Sequence, residues 1–431
     1  MDFKNLNSFN VLVNTLSTNL LPLTKEKTSL STLLKVYWIL VWTMELVYLT
    51  VCILGLLYVP KERALQDSTV NILVSSEVIV MIVYLSNRKG MICALIEKLN
   101  NILDTDDKSL KSTIIQTLKP LEKPLKIYAI ASVGTVAVWA VLPLIKIFKQ
   151  SEFHYVDYRI PAALSKEPFS ISVFIGGVVL ECLGSLYSIA RKVSLDLYTM
   201  HLILLMTAQY KYLRIEFEKV LRKEVQDCGR LNRLDKDGSL DKMFSKDEEV
   251  TRQRMRVLTR HHGAVVGRYI EDTTLPKHRN TLHKQHLSLL LLKLHDNNGT
   301  PRFLTSSLNS LRFFTEYFIQ FYSPFQVHAE HFEKLLVVLY AVGAVTQLYV
   351  LCFCIQQLLE ASTAIMNDAF HAEWYHHNAS FQREIAIMTL ASKLECRLSI
   401  FRNTDLTLPS FMSILNQAYS VCLLFLRARK D

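Results

Sequence analysis

The sequence predicts an all-α membrane protein with seven transmembrane helices, its N-terminus cytoplasmic and its C-terminus extracellular. Three observations predict this. Half of the 431 residues are apolar and gathered into long blocks, with only 12 Gly and 11 Pro to break them. The first block, 34–59, holds a single charged residue beyond Lys35, namely Glu45, and exceeds the ~20 residues a helix needs to cross a hydrocarbon core. The cationic residues lie between blocks, mainly in 88–126 and 211–284.

Block 34–59 begins too far in and runs too long for a cleaved signal peptide, so it reads as a signal anchor. The second span is 69–86, with Glu77 inside it. The third, 125–148, is interrupted by Pro143 near its end. The fourth, 169–190, follows a turn-rich stretch and contains Glu181. A stretch without Gly or Pro then continues past Arg191 and Lys192 to residue 221. Two residues cannot reverse a chain across a bilayer. The fourth helix therefore continues as one rod of roughly 75 Å, more than twice the hydrocarbon thickness, and projects into the cytoplasm. The fifth span is placed within 303–327. The sixth, 332–359, is expected to project in the same way as far as 377, and the seventh is 406–426.

Charge sets the orientation. The connections 58–68 and 149–168 are balanced in charge, whereas the alternate connections are rich in Lys and Arg. Cationic loops stay on the cytoplasmic side. The tail Arg427–Lys430 opposes this assignment and is outweighed by the two long basic loops. A G-protein-coupled receptor, with its N-terminus outside, would put those loops on the wrong face. The third span is followed by no Asp-Arg-Tyr, and the seventh contains no Asn-Pro-x-x-Tyr.

The net charge of +10 does not point to nucleic acid, because no phosphate loop or aromatic–basic RNA-binding pattern accompanies the basic stretches. The eight Cys form no CxxC pair and lie mostly in apolar blocks, so neither a disulfide framework nor a zinc site is expected. His283 and His286, His328 and His331, and the pair His376-His377 have spacings that a metal could use, but lack a third ligand. No metal or cofactor is expected. The sequons at Asn298 and Asn378 fall on the cytoplasmic side, where they escape glycosylation. No arrangement of nucleophile, base or paired carboxylates suits catalysis, so an enzyme is not expected.

Several stretches, in order, carry a family resemblance. They are Tyr155-Val156-Asp157-Tyr158-Arg159-Ile160-Pro161-Ala162-Ala163 with Glu167-Pro168-Phe169, Ala208-Gln209-Tyr210 through Arg214, and His261-His262. Near the C-terminus come Leu406-Thr407-Leu408 with Phe411, Ser413-Ile414-Leu415 and Ala418-Tyr419-Ser420. In these the chain resembles the insect odorant receptors, and specifically the odour-tuning subunits of hymenopteran members. The resemblance covers residues 1 to about 272 and about 325 to 426.

The resemblance implies a non-selective cation channel gated by small apolar odorants or pheromones. It implies a heterotetramer with a shared co-receptor subunit, in the plasma membrane of a sensory neuron dendrite. The ligand pocket is expected among the outer halves of spans two, three, four and six. Helical spacing there offers Val74 and Val78, Trp139 and Leu142, Phe174 and Val178, and Tyr340, with Trp139 and Tyr340 as the preferred anchors. An intramembrane carboxylate is costly. Glu77 and Glu181 therefore either face the pocket or hold an interhelical hydrogen bond, and for Glu45 the structural role is preferred. By position the family's hydrophobic gate falls on Cys422 and Leu426, with Phe425 beside them at a position that is polar in the co-receptor; all three are residue types suited to gating by dewetting. The alternative is that these three face lipid or neighbouring helices.

The segment 273–323 departs from the family. Where a long apolar fifth span is usual, the chain has Pro276, three cationic or titratable residues, Leu287–Leu294 and Asn297-Asn298-Gly299. The span at 303–327 must bury Arg312, at about 2.5–3.5 kcal/mol before any pairing with Glu316. The segment is expected to be an insertion or a misjoined gene model. A seven-span secondary transporter is the alternative function, but repeated halves, usual in that class, are not found.

Overall fold

The computed structural model describes residues 6–19, 21, 31–58, 108–158, 167–234, 331–371 and 407–428. It also describes 399–401, 404–405 and scattered positions within 75–100 and 379–386. The expected span at 303–327 and the segment 273–323 lie outside these residues, as does most of 69–86. The architecture is helical: α1 (Ser8–Leu16), α2 (Thr32–Tyr58), α3 (Lys108–Val141), α4 (Ile171–Leu234), α5 (His331–His371) and α6 (Leu408–Ala428). In the numbering of expected spans, α2, α3, α4, α5 and α6 carry the first, third, fourth, sixth and seventh. A two-stranded antiparallel ribbon, β1 (Ser399–Phe401) and β2 (Thr404–Asp405), precedes α6.

Four helical stretches among the described residues are long and apolar enough to cross a membrane: Thr32–Leu54, Lys108–Phe148, Ile171–Lys219 and Val342–Ile365. Their outward faces are apolar. Leu33, Leu40 and Leu46 of α2, Ile127 and Ile130 of α3, and Val342 of α5 are all exposed. Such a surface would be a liability in water and is ordinary against lipid.

α3 begins well before its apolar run and contains Pro120 and Pro124. A proline inside a helix removes one backbone bond and leaves the carbonyl four residues earlier without its partner. Both prolines are exposed, as are Gln116 and Pro120, which own those carbonyls. They precede the apolar run, where water can take the place of the missing N–H. At the other end Pro143 stands at the start of a 3-10 helix, Leu142–Phe148, into which α3 tightens.

α4 is the axis of the molecule. Its 64 residues measure about 96 Å as α-helix, roughly three hydrocarbon thicknesses. α1, α2, α3 and α5 all pack against it, and every residue from 191 to 210 is buried. The main core forms there, where Leu197, Tyr198, Leu204 and Ala208 meet Leu110, Ile114 and Tyr128 of α3 and Cys352, Ile355 and Leu358 of α5. Further along, Arg214 makes a two-pronged ion pair with Asp368, with contacts of 2.6 and 3.2 Å, which ties the extensions of α4 and α5 together.

α1 is built unusually. It turns Asn10 and Asn14 inward, with Asn7 buried at its N-cap, and leaves Leu12 and Leu16 exposed. The Asn14 side chain both donates to and accepts from the backbone of Leu21, at 3.2 Å each, and so folds the following turn back onto the helix. Thr18 in that turn has a φ of 60°. The turn holds Arg191, whose guanidinium donates to the Ser17 carbonyl and the Thr18 hydroxyl at 3.3 Å. The guanidinium also lies 4.1 Å from the centre of the Trp42 ring. Asn19 returns a bond to the Arg191 carbonyl at 2.9 Å. The cation that marks the end of the apolar fourth span is thus wholly buried and wrapped by the N-terminal segment.

Candidate ligand site and the C-terminal helix

The site is built around one face of α4, on which Gly177, Glu181, Gly184 and Ser185 follow one another at helical spacing. At its start, the connection from α3 folds into an aromatic cap. The Phe169 N–H donates to the Phe153 carbonyl at 2.7 Å, and the Phe153 ring stacks on Phe174 with centroids 4.2 Å apart. Tyr155 meets Phe169 edge-on at 4.8 Å, and Tyr158 lies against Phe174 at 4.9 Å.

The cap is fastened by Lys146, which donates to Asp157 at 3.0 Å, while Asp157 also accepts the His154 backbone N–H at 2.8 Å. Burial pushes the Asp157 carboxyl up. The His154 N–H and the Lys146 ammonium outweigh burial and hold it below the usual carboxylate range. Tyr158 donates to the Val173 carbonyl at 3.2 Å, and the hydroxyl end of its ring lies against Gly177, where a Cβ would come within 2.6 Å of it.

A second cluster sits further along α4. Tyr48 and Cys52 of α2 are fully buried there, with Trp139 of α3 and Leu180 packed on them. The Tyr48 ring occupies the space that a side chain at Gly184 would need, and its hydroxyl pairs with Ser185 at 2.9 Å. Glu181, wholly buried, falls between the clusters, within electrostatic reach of both the Tyr48 and the Tyr158 phenols.

The expected site residues divide accordingly. Phe174 and Val178 lie together under the aromatic cap. Trp139 belongs to the Tyr48 cluster, with Glu181 between the two. Leu142 is half-buried at the start of the 3-10 helix. Val78 is buried in the main core, away from both clusters. Val74 and Glu77 lie outside the described residues. Tyr340 is a backbone position on α5, and Cys422, Phe425 and Leu426 are backbone positions on α6. Among the described residues no group of three or more potential ligands is placed to hold a metal.

Sequence reasoning missed a polar junction deeper in the bundle. Asp196 of α4, buried, accepts from the Tyr128 hydroxyl of α3 and the Gln347 amide of α5, both at 2.8 Å. One carboxylate oxygen thereby joins three helices. Its signal was present, since Asp196 is the only acidic residue between Glu181 and Glu216, but it falls in a stretch that reads as a cytoplasmic extension.

On α6, Leu408, Phe411, Ile414 and Leu415 pack on the body of the molecule, with Phe411 meeting Tyr349 of α5 at 5.6 Å. The opposite face, Pro409, Met412, Ser413, Asn416, Gln417 and Ser420, lines an open groove of about 670 Å³. By helical phase, positions 422, 425 and 426 lie about three turns beyond 411, 414 and 415, on the same side.

Comparison with known proteins places the chain. Residues 315–419 match the family described as 7tm Odorant receptor. No curated protein matches by sequence. The fold is similar to that of the insect olfactory receptor OR5 from Machilis hrabei, with a TM-score of 0.68, 13% identity, and 99% of this chain and 100% of that one covered. The same receptor in complex with eugenol gives 0.64 at 13% identity and the same coverage. The segment that carries α5 and most of α6 thus matches that family model, and the chain shares the fold of these solved olfactory receptors along 99% of its length.

Proposed function

We propose that this receptor is an odour-tuning subunit, which binds small apolar odorants or pheromones and gates a non-selective cation channel together with a shared co-receptor. The observation that carries this reading is the fold shared with solved olfactory receptors along 99% of the chain. Seven spans with a cytoplasmic N-terminus fit the charge of the connections, and put the aromatic cap outside and the extensions of α4 and α5 inside. The plasma membrane of a sensory dendrite is the corresponding location.

The ligand contacts are assigned to Trp139, Leu142, Phe174, Val178, Glu181 and Tyr340, with Val74 and Glu77 from the second span. An apolar, aromatic site with one buried carboxyl suits a volatile with a single hydrogen-bonding group. One relative was solved with eugenol, so a phenolic volatile is a natural first probe. Odorant binding would be relayed to α6 through α5, against which α6 packs, and the gate is assigned to Cys422, Phe425 and Leu426.

The test is co-expression with an odorant co-receptor in oocytes under voltage clamp, with a panel of volatiles. Odour-evoked, non-selective cation current that needs both subunits is the expected result. Uptake that saturates with substrate, without channel conductance, would overturn the reading.

A further inference from the structure

The structure assigns to α1 and the first half of α3 a binding surface for anionic phospholipid. Along one face of α3 the exposed residues are Ser112, Gln116, Lys119, Lys123, Ile127, Ile130 and Gly134. This single face passes from neutral polar to cationic to apolar, with Ile127 and Ile130 67% and 68% exposed. The hydrocarbon boundary therefore falls within the one turn between Lys123 and Ile127. From Ile127 to Phe148 the chain rises by about 35 Å once its 3-10 end is counted, close to one hydrocarbon thickness. Among the described residues no ion pair engages Lys119 or Lys123, and the neighbouring Glu122 contacts Lys126 instead, at 2.6 Å.

α1 lies at the same level. Its Phe9 ring sits 5.9 Å from the Lys126 ammonium, and the Leu16 carbonyl accepts from the hydroxyl of Tyr37, near the start of the first span, at 2.8 Å. α1 thus runs between the same-side ends of two spans. Its asparagines face the protein, while Leu12 and Leu16 are each 55% exposed. A short helix at this depth with leucines outward inserts them among acyl chains, and two lysines with no ion pair among the described residues, at headgroup height, attract a phosphate. Leucines below and ammonium groups above fit one occupant, an anionic phospholipid of the leaflet at which α3 enters. That leaflet is the cytoplasmic one in the orientation proposed above.

The test uses the full chain in nanodiscs of phosphatidylcholine, with or without phosphatidylserine, read by melting temperature and by hydrogen exchange over residues 6–19. Phosphatidylserine should raise the melting temperature by several degrees and slow exchange in α1. K119Q/K123Q should lose that increment while melting normally in phosphatidylcholine, and K119R/K123R should keep it. L12S/L16S should exchange faster in both lipids. Identical behaviour of the wild type in the two lipids, an increment that survives K119Q/K123Q, or equal stabilisation by water-soluble glycerophosphoserine would each overturn the assignment. None of these measurements needs an odorant or a co-receptor, so their outcome is separate from that of the channel reading.

Discussion

Gly184 and Gly176 lie two turns apart on α4 and have opposite surroundings. The Tyr48 ring fills the space beside Gly184, whereas nothing lies within 4 Å of a Cβ at Gly176. Gly184→Ala should destabilise the protein by about 1–3 kcal/mol through overpacking. Gly176→Ala should stabilise it by up to about 1 kcal/mol through helix propensity. Melting of the detergent-purified protein checks the pair, and equal shifts would mean that the tyrosine ring gives way.

Asp196 makes a different demand. Asp196→Ala removes the acceptor shared by the buried Tyr128 hydroxyl and the half-buried Gln347 amide, at about 1–3 kcal/mol. Tyr128→Phe removes a donor and leaves the carboxylate its amide, so its effect on the same melt should be the smaller. Asp157 supplies a pH dependence. Its carboxyl is held below its ordinary value of 3.8, so the clasp on the aromatic cap is fully formed above that value. It is lost as pH falls through the lower folded value. Hydrogen exchange over 153–158 should accelerate on acidification, and Asp157→Asn should exchange fast at every pH.

At the scale of elements, the apolar runs were legible because lipid demands continuous hydrophobicity over a fixed length. The α2 helix follows from that demand, the interruption near the end of the third span from Pro143, and the continuation of α4 past Arg191 from a stretch without Gly or Pro. What the sequence did not disclose depends on long-range pairing. Arg191 reads as a boundary cation, and only the folded chain shows it wrapped by Ser17, Thr18 and Trp42. The asparagines of α1 give no apolar stripe facing the core, and the helix was passed over. Tyr155, Tyr158 and Phe169 stand in the sequence as part of the family likeness, while the packing of both tyrosines on Phe169, and of Tyr158 on Phe174, is visible only in three dimensions.

α6 carries its own prediction. If positions 422 and 426 form the gate, Cys422→Ser with Leu426→Ser should raise current in the absence of odorant by wetting the constriction. A channel that stays closed at rest, while Asn416→Leu alters conduction, would move the ion path to the grooved face.

For the whole molecule, the two α4 clusters and the α5 contribution must act together if they bind odorant. Trp139→Ala with Tyr340→Ala should shift or abolish dose–response curves while surface labelling stays unchanged. Unaltered curves would remove both residues from the site. The burial of α4 from 191 to 210 reaches further than signalling, because its sheath comes from both sides in chain order: α1, α2 and α3 are synthesised before it, α5 afterwards. A nascent chain stopped anywhere before residue 331 would expose a leucine-rich strip, with Asp196 missing one of its donors, to the quality-control machinery. Truncated transcripts should accordingly yield degraded protein rather than a dominant partial subunit. Maturation would wait for α5 to emerge from the ribosome.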